Sequence, residues 1–205
     1  MKKETFTAKT QEDALVLATQ HFLVPEDEIE YTILENGSRG LFGIGTKDSV
    51  IEAWVEPELL VKAFLFKLLE KMGFPAEVDC YQKEESIIAE LTSSFAGAII
   101  GRRGETLDSL QYLTTLYLNR FHSSEQYIRV TLDIENYRAK REQALIRLAN
   151  GVAAKVVRYR KDIVLEPMNP FERRIIHFAL QNNKNVVSRS IGIEPHRKIV
   201  ITLSV

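Results

Sequence analysis

Ile99-Ile100-Gly101-Arg102-Arg103-Gly104-Glu105-Thr106-Leu107-Asp108-Ser109-Leu110 sets two apolar residues before a Gly-Arg-Arg-Gly tetrapeptide and opens a periodic apolar pattern after it. Leu107, Leu110, Tyr117, Leu118 and Phe121 recur at helical spacing, so the stretch reads as a helix, a glycine-flanked basic turn and a second helix. Glycine permits a tight turn and lets a polymer backbone approach closely. The free N–H groups that begin the second helix and the two arginines both favour an anion. Such a turn is suited to holding a phosphate.

Working outward, Pro57 opens a helix carried by Leu59, Leu60, Ala63, Phe64, Leu68 and Met72 up to Gly73. Strands are expected at 76–81 and 86–91 around the charged turn Gln82-Lys83-Glu84-Glu85. A helix at 94–100, the Gly-Arg-Arg-Gly turn, a long helix to Phe121 and a strand at 127–134 complete the order α-β-β-α-α-β. The motif at the join of two helices, inside this order, resembles the Ile-Gly-x-x-Gly signature of the KH domain in its prokaryotic, type II form. The resemblance implies a clamp on the backbone of about four unpaired nucleotides, with their bases in an adjoining apolar groove. Carried over, Gly101 and Gly104 shape the clamp, Arg102 and Arg103 meet phosphates, and Ile99 and Ile100 line the groove floor. Plain core is the alternative for both isoleucines.

The long helix carries more apolar surface than one core requires. Tyr112, Leu113 and Leu116 lie on a second flank beside Ser109 and Arg120. A helix apolar on two flanks is fully buried or docks to a partner. A KH sheet covers one face of its helices, so the expectation is a dimer interface built from Tyr112, Leu113, Leu116 and Arg120, homodimeric or heterodimeric.

The first 56 residues read as β-α-β-β: alternation at 4–8, a capped helix from Thr10 ended by Pro25, then strands at 29–34 and 50–55. Between the last two strands runs Gly37-Ser38-Arg39-Gly40-Leu41-Phe42-Gly43-Ile44-Gly45-Thr46-Lys47. It matches neither the dinucleotide nor the Walker pattern and precedes a strand where those precede a helix. It is either a glycine-rich hairpin connection or a protein-interaction loop presenting Leu41 and Phe42.

Net charge conceals a polarity along the chain. Residues 1–56 carry 5 Lys+Arg against 11 Asp+Glu, residues 57–135 carry 8 against 12, and residues 136–205 carry 14 against 5. A basic third of net +9 attached to an acidic remainder points to a polyanion at the C-terminal end. There, Ala144, Leu145, Leu148, Ala149, Val152, Val156 and Val157 outline an amphipathic helix with Arg138, Arg141, Arg147, Lys155, Arg158 and Lys161 on its other face. In Asn169-Pro170-Phe171-Glu172-Arg173-Arg174-Ile175-Ile176-His177, Asn169 suits a helix cap, Pro170 its first turn and Glu172 a capping-box acid. Arg173 and His177 then share a face, with Phe171, Ile175 and Phe178 expected toward the core. This helix resembles the Arg-x-x-x-His helix of the R-3-H domain, a single-stranded nucleic-acid binder. Ser190-Ile191-Gly192-Ile193-Glu194-Pro195-His196-Arg197 fits that family's turn before a final strand at 199–203, which adds Arg197 to the expected RNA-binding residues.

All three segments in this order resemble the bacterial Jag family (SpoIIIJ-associated proteins, also called EloR or KhpB). The resemblance implies an α+β chain of three small domains in series, each a small sheet packed against helices, at 1–56, 57–135 and 136–205. It implies single-stranded RNA as partner, with single-stranded DNA as the alternative, and ties to a membrane-protein insertase, to cell elongation or sporulation, and to a small single-KH protein. Several family members carry a long linker after the first domain; Glu56-Pro57 leaves no room for one here.

The remaining composition narrows the function classes. At 205 residues, 45% apolar and 27% charged, the chain is ordinary for a soluble protein. It has no run of 18 apolar residues and no apolar signal-peptide core at its start, so a cytoplasmic location without membrane insertion is expected. A lone cysteine, Cys80, allows no internal disulfide and reads as a strand residue. His21, His122, His177 and His196 are scattered with no metal-binding spacing, and no serine sits in a nucleophile elbow, so neither an enzyme nor a cofactor is expected. A protein-interaction adaptor, docking through the first domain and the second KH helix, is the rival to RNA binding.

Overall fold

The structure is a computed structural model that describes residues 1–38, 46–122 and 127–204. Leu41 and Phe42, the expected interaction loop, lie outside the described residues. The chain divides into two compact units, Met1–Glu135 and Asn136–Val205.

Unit one holds two three-stranded sheets. Strands β1 (Glu4–Ala8), β2 (Glu30–Glu35) and β3 (Ser49–Trp54) form an antiparallel sheet in the order β1-β3-β2, with helix α1 (Gln11–Phe22) against it. Thr10 caps α1 by accepting the Asp13 N–H, and Ala14, Leu15, Ala18 and Phe22 form its buried stripe. After α2 (Pro57–Lys71), the second sheet joins β4 (Glu77–Lys83), β5 (Ser86–Thr92) and β6 (Arg129–Ile134) in that order. The β4–β5 pair is antiparallel and needs only a tight turn. The β5–β6 pair is parallel and requires a crossover, which α3 (Ala96–Ile100) and α4 (Glu105–Arg120) supply. The Gly-Arg-Arg-Gly turn is the corner of that crossover.

The two sheets of unit one are fastened by an aromatic cluster from α1, α2 and α4. Tyr117 stacks on Phe64 at 4.3 Å between ring centroids, while Phe22 and His21 meet Phe121 at 5.4 and 5.3 Å. The Tyr117 hydroxyl donates to the Phe22 carbonyl at 3.0 Å, and burial pushes its pKa up to about 12. Burial likewise raises the Cys80 thiol on β4 to about 12, which leaves it protonated and unreactive at neutral pH.

Unit two is a helix pair on a small antiparallel sheet: α5 (Tyr137–Tyr159), β7 (Ile163–Val164), α6 (Pro170–Leu180), β8 (Val186–Ile191) and β9 (Lys198–Leu203), with sheet order β7-β9-β8. Its core gathers Leu145, Ala149, Val152, Ala153 and Val156 from α5 with Ile176 and Leu180 from α6 and Ile199 and Ile201 from β9. Leu148 and Val157, grouped with the apolar face of α5 by periodicity, are exposed, and Ala153 takes the core position between them. Ser190 and Ile191 end strand β8, so the turn before β9 starts at Gly192.

The phase of α6 is the main departure from the sequence reading. Phe171 and Phe178 are not core residues: they are 68% and 62% exposed, whereas Ile175, half-buried, does pack against the core. The buried face is Glu172, Arg173, Ile176 and Leu180. Two charged side chains occupy it because each is paired. Arg141 on α5 places Nε and Nη2 at 2.8 and 2.7 Å from Glu172 Oε1, so Glu172 serves an ion pair and Arg141 is withdrawn from the free basic face. Asn169 does cap the helix, accepting the Glu172 N–H at 2.8 Å.

Candidate nucleic-acid interface

In unit one the turn expected to act as a clamp is shaped by backbone conformation. Gly101 (φ 70°, ψ −170°), Arg103 (φ 56°) and Gly104 (φ 85°) turn the chain between α3 and α4. Gly101 lies in a region that is essentially glycine-only, and a Cβ there would collide with Thr106 Oγ1 and stand 2.7 Å from Thr106 Cβ. Arg102 is exposed and Arg103 half-buried. Among the described residues no side chain caps the start of α4, and the positive end of its dipole faces the same turn.

The two isoleucines separate. Ile99 is fully buried and belongs to the core; Ile100 is half-buried beside the turn and is the one available to line a groove. Tyr112, Leu113 and Leu116 are 63%, 47% and 45% exposed, and Arg120 is exposed with them, so the second flank of α4 is an open apolar surface.

In unit two, α6, the end of β8 and the turn before β9 enclose an open depression of about 420 Å³. Pro170, Arg173, Arg174, His177, Phe178, Gln181, Ser190 and Arg197 line it. Thus Arg197, twenty residues beyond His177, is brought to the same place as the Arg173–His177 pair of α6. Their states differ. Arg173 is 6% exposed and held at both ends, with Nη1 donating to the Met168 carbonyl at 2.7 Å and Nη2 to Glu194 Oε1 at 2.6 Å. It shapes the wall more than it offers a free charge. His177 is half-buried with Nδ1 2.8 Å from Ser188 Oγ; burial first, and the Arg173 charge second, hold its pKa below the usual histidine value. It is therefore a neutral hydrogen-bonding group at neutral pH. Arg197 is exposed, its Nε donating to Ser190 Oγ at 2.9 Å, and Arg174 is exposed on α6.

Sequence reading missed Arg174, Phe178, Gln181 and Ser190 as lining residues. Arg174 stood beside the motif arginine and carried its own signal. Phe178 was lost because the apolar stripe Phe171-Ile175-Phe178 looked like the core face once charged residues were assumed to be outside.

Three family models match successive parts of the chain. The family model described as "Jag N-terminus" matches residues 6–55, "KhpA/KhpB, KH domain" matches 58–132, and that of the R-3-H domain matches 143–203. The "RNA-binding protein KhpB" of Clostridium symbiosum is 45% identical over 207 aligned residues, covering 99% of this chain and 92% of that protein. The chain belongs to the KhpB family. A KhpB of Bacillus subtilis is 33% identical over 98% of this chain and 99% of its own length. A KhpB of Lactiplantibacillus plantarum is 33% identical over 68% of this chain but only 43% of its own length. Among the described residues, no helix is long and apolar enough to cross a membrane, and no group of His, Cys, Asp and Glu could hold a metal ion.

Proposed function

We propose that the chain is a single-stranded RNA-binding protein, without catalytic activity, that grips RNA at two sites, the Gly-Arg-Arg-Gly turn of unit one and the α6 depression of unit two. The observation that supports this reading is the turn: an exposed Arg102 and a half-buried Arg103 follow a glycine-only corner and precede a helix start with no side-chain cap among the described residues. Backbone phosphates fit that chemistry, and Ile100 supplies an apolar edge for bases. Unit two adds charge through Arg174 and Arg197, and His177 as a neutral donor or acceptor. Covalent connection of two modest sites raises the effective concentration of each for a strand already held by the other, a gain of about 100-fold when both engage. The names of the relatives support RNA as the ligand. The family resemblance extends the reading to RNA-level regulation linked to cell elongation or sporulation.

Replacing Arg102 and Arg103 with Asp tests it. Aspartate tolerates the left-handed conformation of position 103, so the turn is expected to keep its shape. Filter binding of a single-stranded RNA should weaken about tenfold, and the slope of log affinity against log salt should fall by roughly 1.4, about 0.7 per lost phosphate contact. Unchanged binding and slope would remove the turn from the interface.

A second reading is favoured by the exposed flank of α4. Tyr112, Leu113 and Leu116 form an apolar surface suited to self-association or to another KH domain. Leu116→Glu should convert dimers to monomers by light scattering; dimers that persist would exclude this flank as the contact.

A further inference from the structure

Helix α6 is amphipathic in an inverted sense: it buries Glu172 and Arg173 and leaves Phe171 and Phe178 in solvent. Phe171, Arg174 and Phe178 follow one another at i, i+3 and i+7, so they form a single exposed stripe opposite the core. A second open depression of about 400 Å³ lies along it, lined by Glu142 and Ile146 of α5 and by Phe171, Arg174, Ile175, Phe178 and Ala179 of α6. It shares Arg174 and Phe178 with the depression that holds His177 and Arg197. One side of Arg174 is therefore polar and cationic, and the other is aromatic and aliphatic.

We propose that Phe171 and Phe178 are stacking platforms for unpaired nucleobases, with Arg174 and Arg197 holding the intervening phosphates. The assignment rests on the RNA-binding reading above and names the residues that carry base contact in unit two. Charge selects the occupant. Unit two has a net charge of +9, and two of its acids, Glu172 and Glu194, are paired with Arg141 and Arg173. An apolar surface continuous with exposed arginines suits a polymer that alternates flat apolar rings with anionic links. Glu142 at the apolar edge turns phosphates toward the Arg174–Arg197 side and leaves that edge to the uncharged bases.

The full-length chain is tested with two probes of equal length: an oligoadenylate RNA and an abasic ribose-phosphate oligomer. Phe171→Ala combined with Phe178→Ala should weaken oligoadenylate binding about tenfold or more, as loss of base–aromatic stacking does, and leave abasic binding unchanged. Thermal unfolding should be unaltered, because both side chains are exposed. Phe178→Trp should retain binding, and its added indole emission should be quenched by oligoadenylate but not by the abasic oligomer. Equal loss on both probes, no loss on either, or an unquenched indole would overturn the stacking assignment. Retained RNA binding with loss of a co-purifying protein would overturn it in favour of a protein ligand. Arg174→Glu with Arg197→Glu separates the two levels: if it weakens both probes while the phenylalanine variant changes neither, only stacking fails. If it too changes neither, the RNA-binding reading of this surface fails with it.

Discussion

Gly101→Ala is expected to destabilise unit one by about 3 kcal/mol, through two separate costs. The first is conformational: φ 70° with ψ −170° is a backbone state that a side chain makes unfavourable by roughly 1–3 kcal/mol. The second is steric, because the new Cβ would collide with Thr106 Oγ1 and stand 2.7 Å from Thr106 Cβ. Rotation of Thr106 can move the oxygen but not Cβ, so α4 must shift at its first turn, and forced overpacking of this kind costs about 1–3 kcal/mol. For a unit of this size the loss should lower the melting temperature by about 10 °C. Thr106→Ala in the same chain should recover only part of it, since the contact with Cβ and the backbone cost both remain. A Gly101→Ala variant melting with the wild type would show that the corner is not built as described.

Arg141→Met is expected to cost unit two about 3 kcal/mol at neutral pH, because it leaves the buried Glu172 carboxylate uncompensated. Both Arg141 contacts fall on Oε1, and Oε2 has no hydrogen-bond partner among the described residues. Urea denaturation at neutral pH measures the loss. Adding Glu172→Gln should restore most of the loss at neutral pH. A deficit unrelieved by that second change would assign the cost to packing of the Arg141 stem.

Element order and the Gly-Arg-Arg-Gly corner were legible in the sequence because local signals agreed with tertiary structure there. Glycines sat where positive φ was needed, Pro57 and Pro170 opened α2 and α6, and Thr10 and Asn169 capped α1 and α6. The two flanks of α4 were legible for a similar reason, since its charged and apolar positions do not compete for one face. Helix α6 was misphased where that agreement fails. Hydropathy cannot anticipate that Glu172 and Arg173 go inside, because their partners, Arg141 and Glu194, are remote in sequence. Once the ion pairs fix the inner face, Phe171 and Phe178 have no place but the outer one. Ile99 and Ile100 show the same limit on a smaller scale: adjacent and chemically identical, they are divided by helical phase into one core residue and one edge residue.

The double anchoring of Arg173 has a kinetic consequence. One guanidinium fastens the segment before α6, at Met168, to the turn before β9, at Glu194. Two borders of the depression are thus fixed by one side chain, so a strand bound as proposed would meet a preformed site and need not wait for a loop to order. Encounter should then be governed by long-range attraction to the basic unit, and discrimination among strands should reside in how long each one stays.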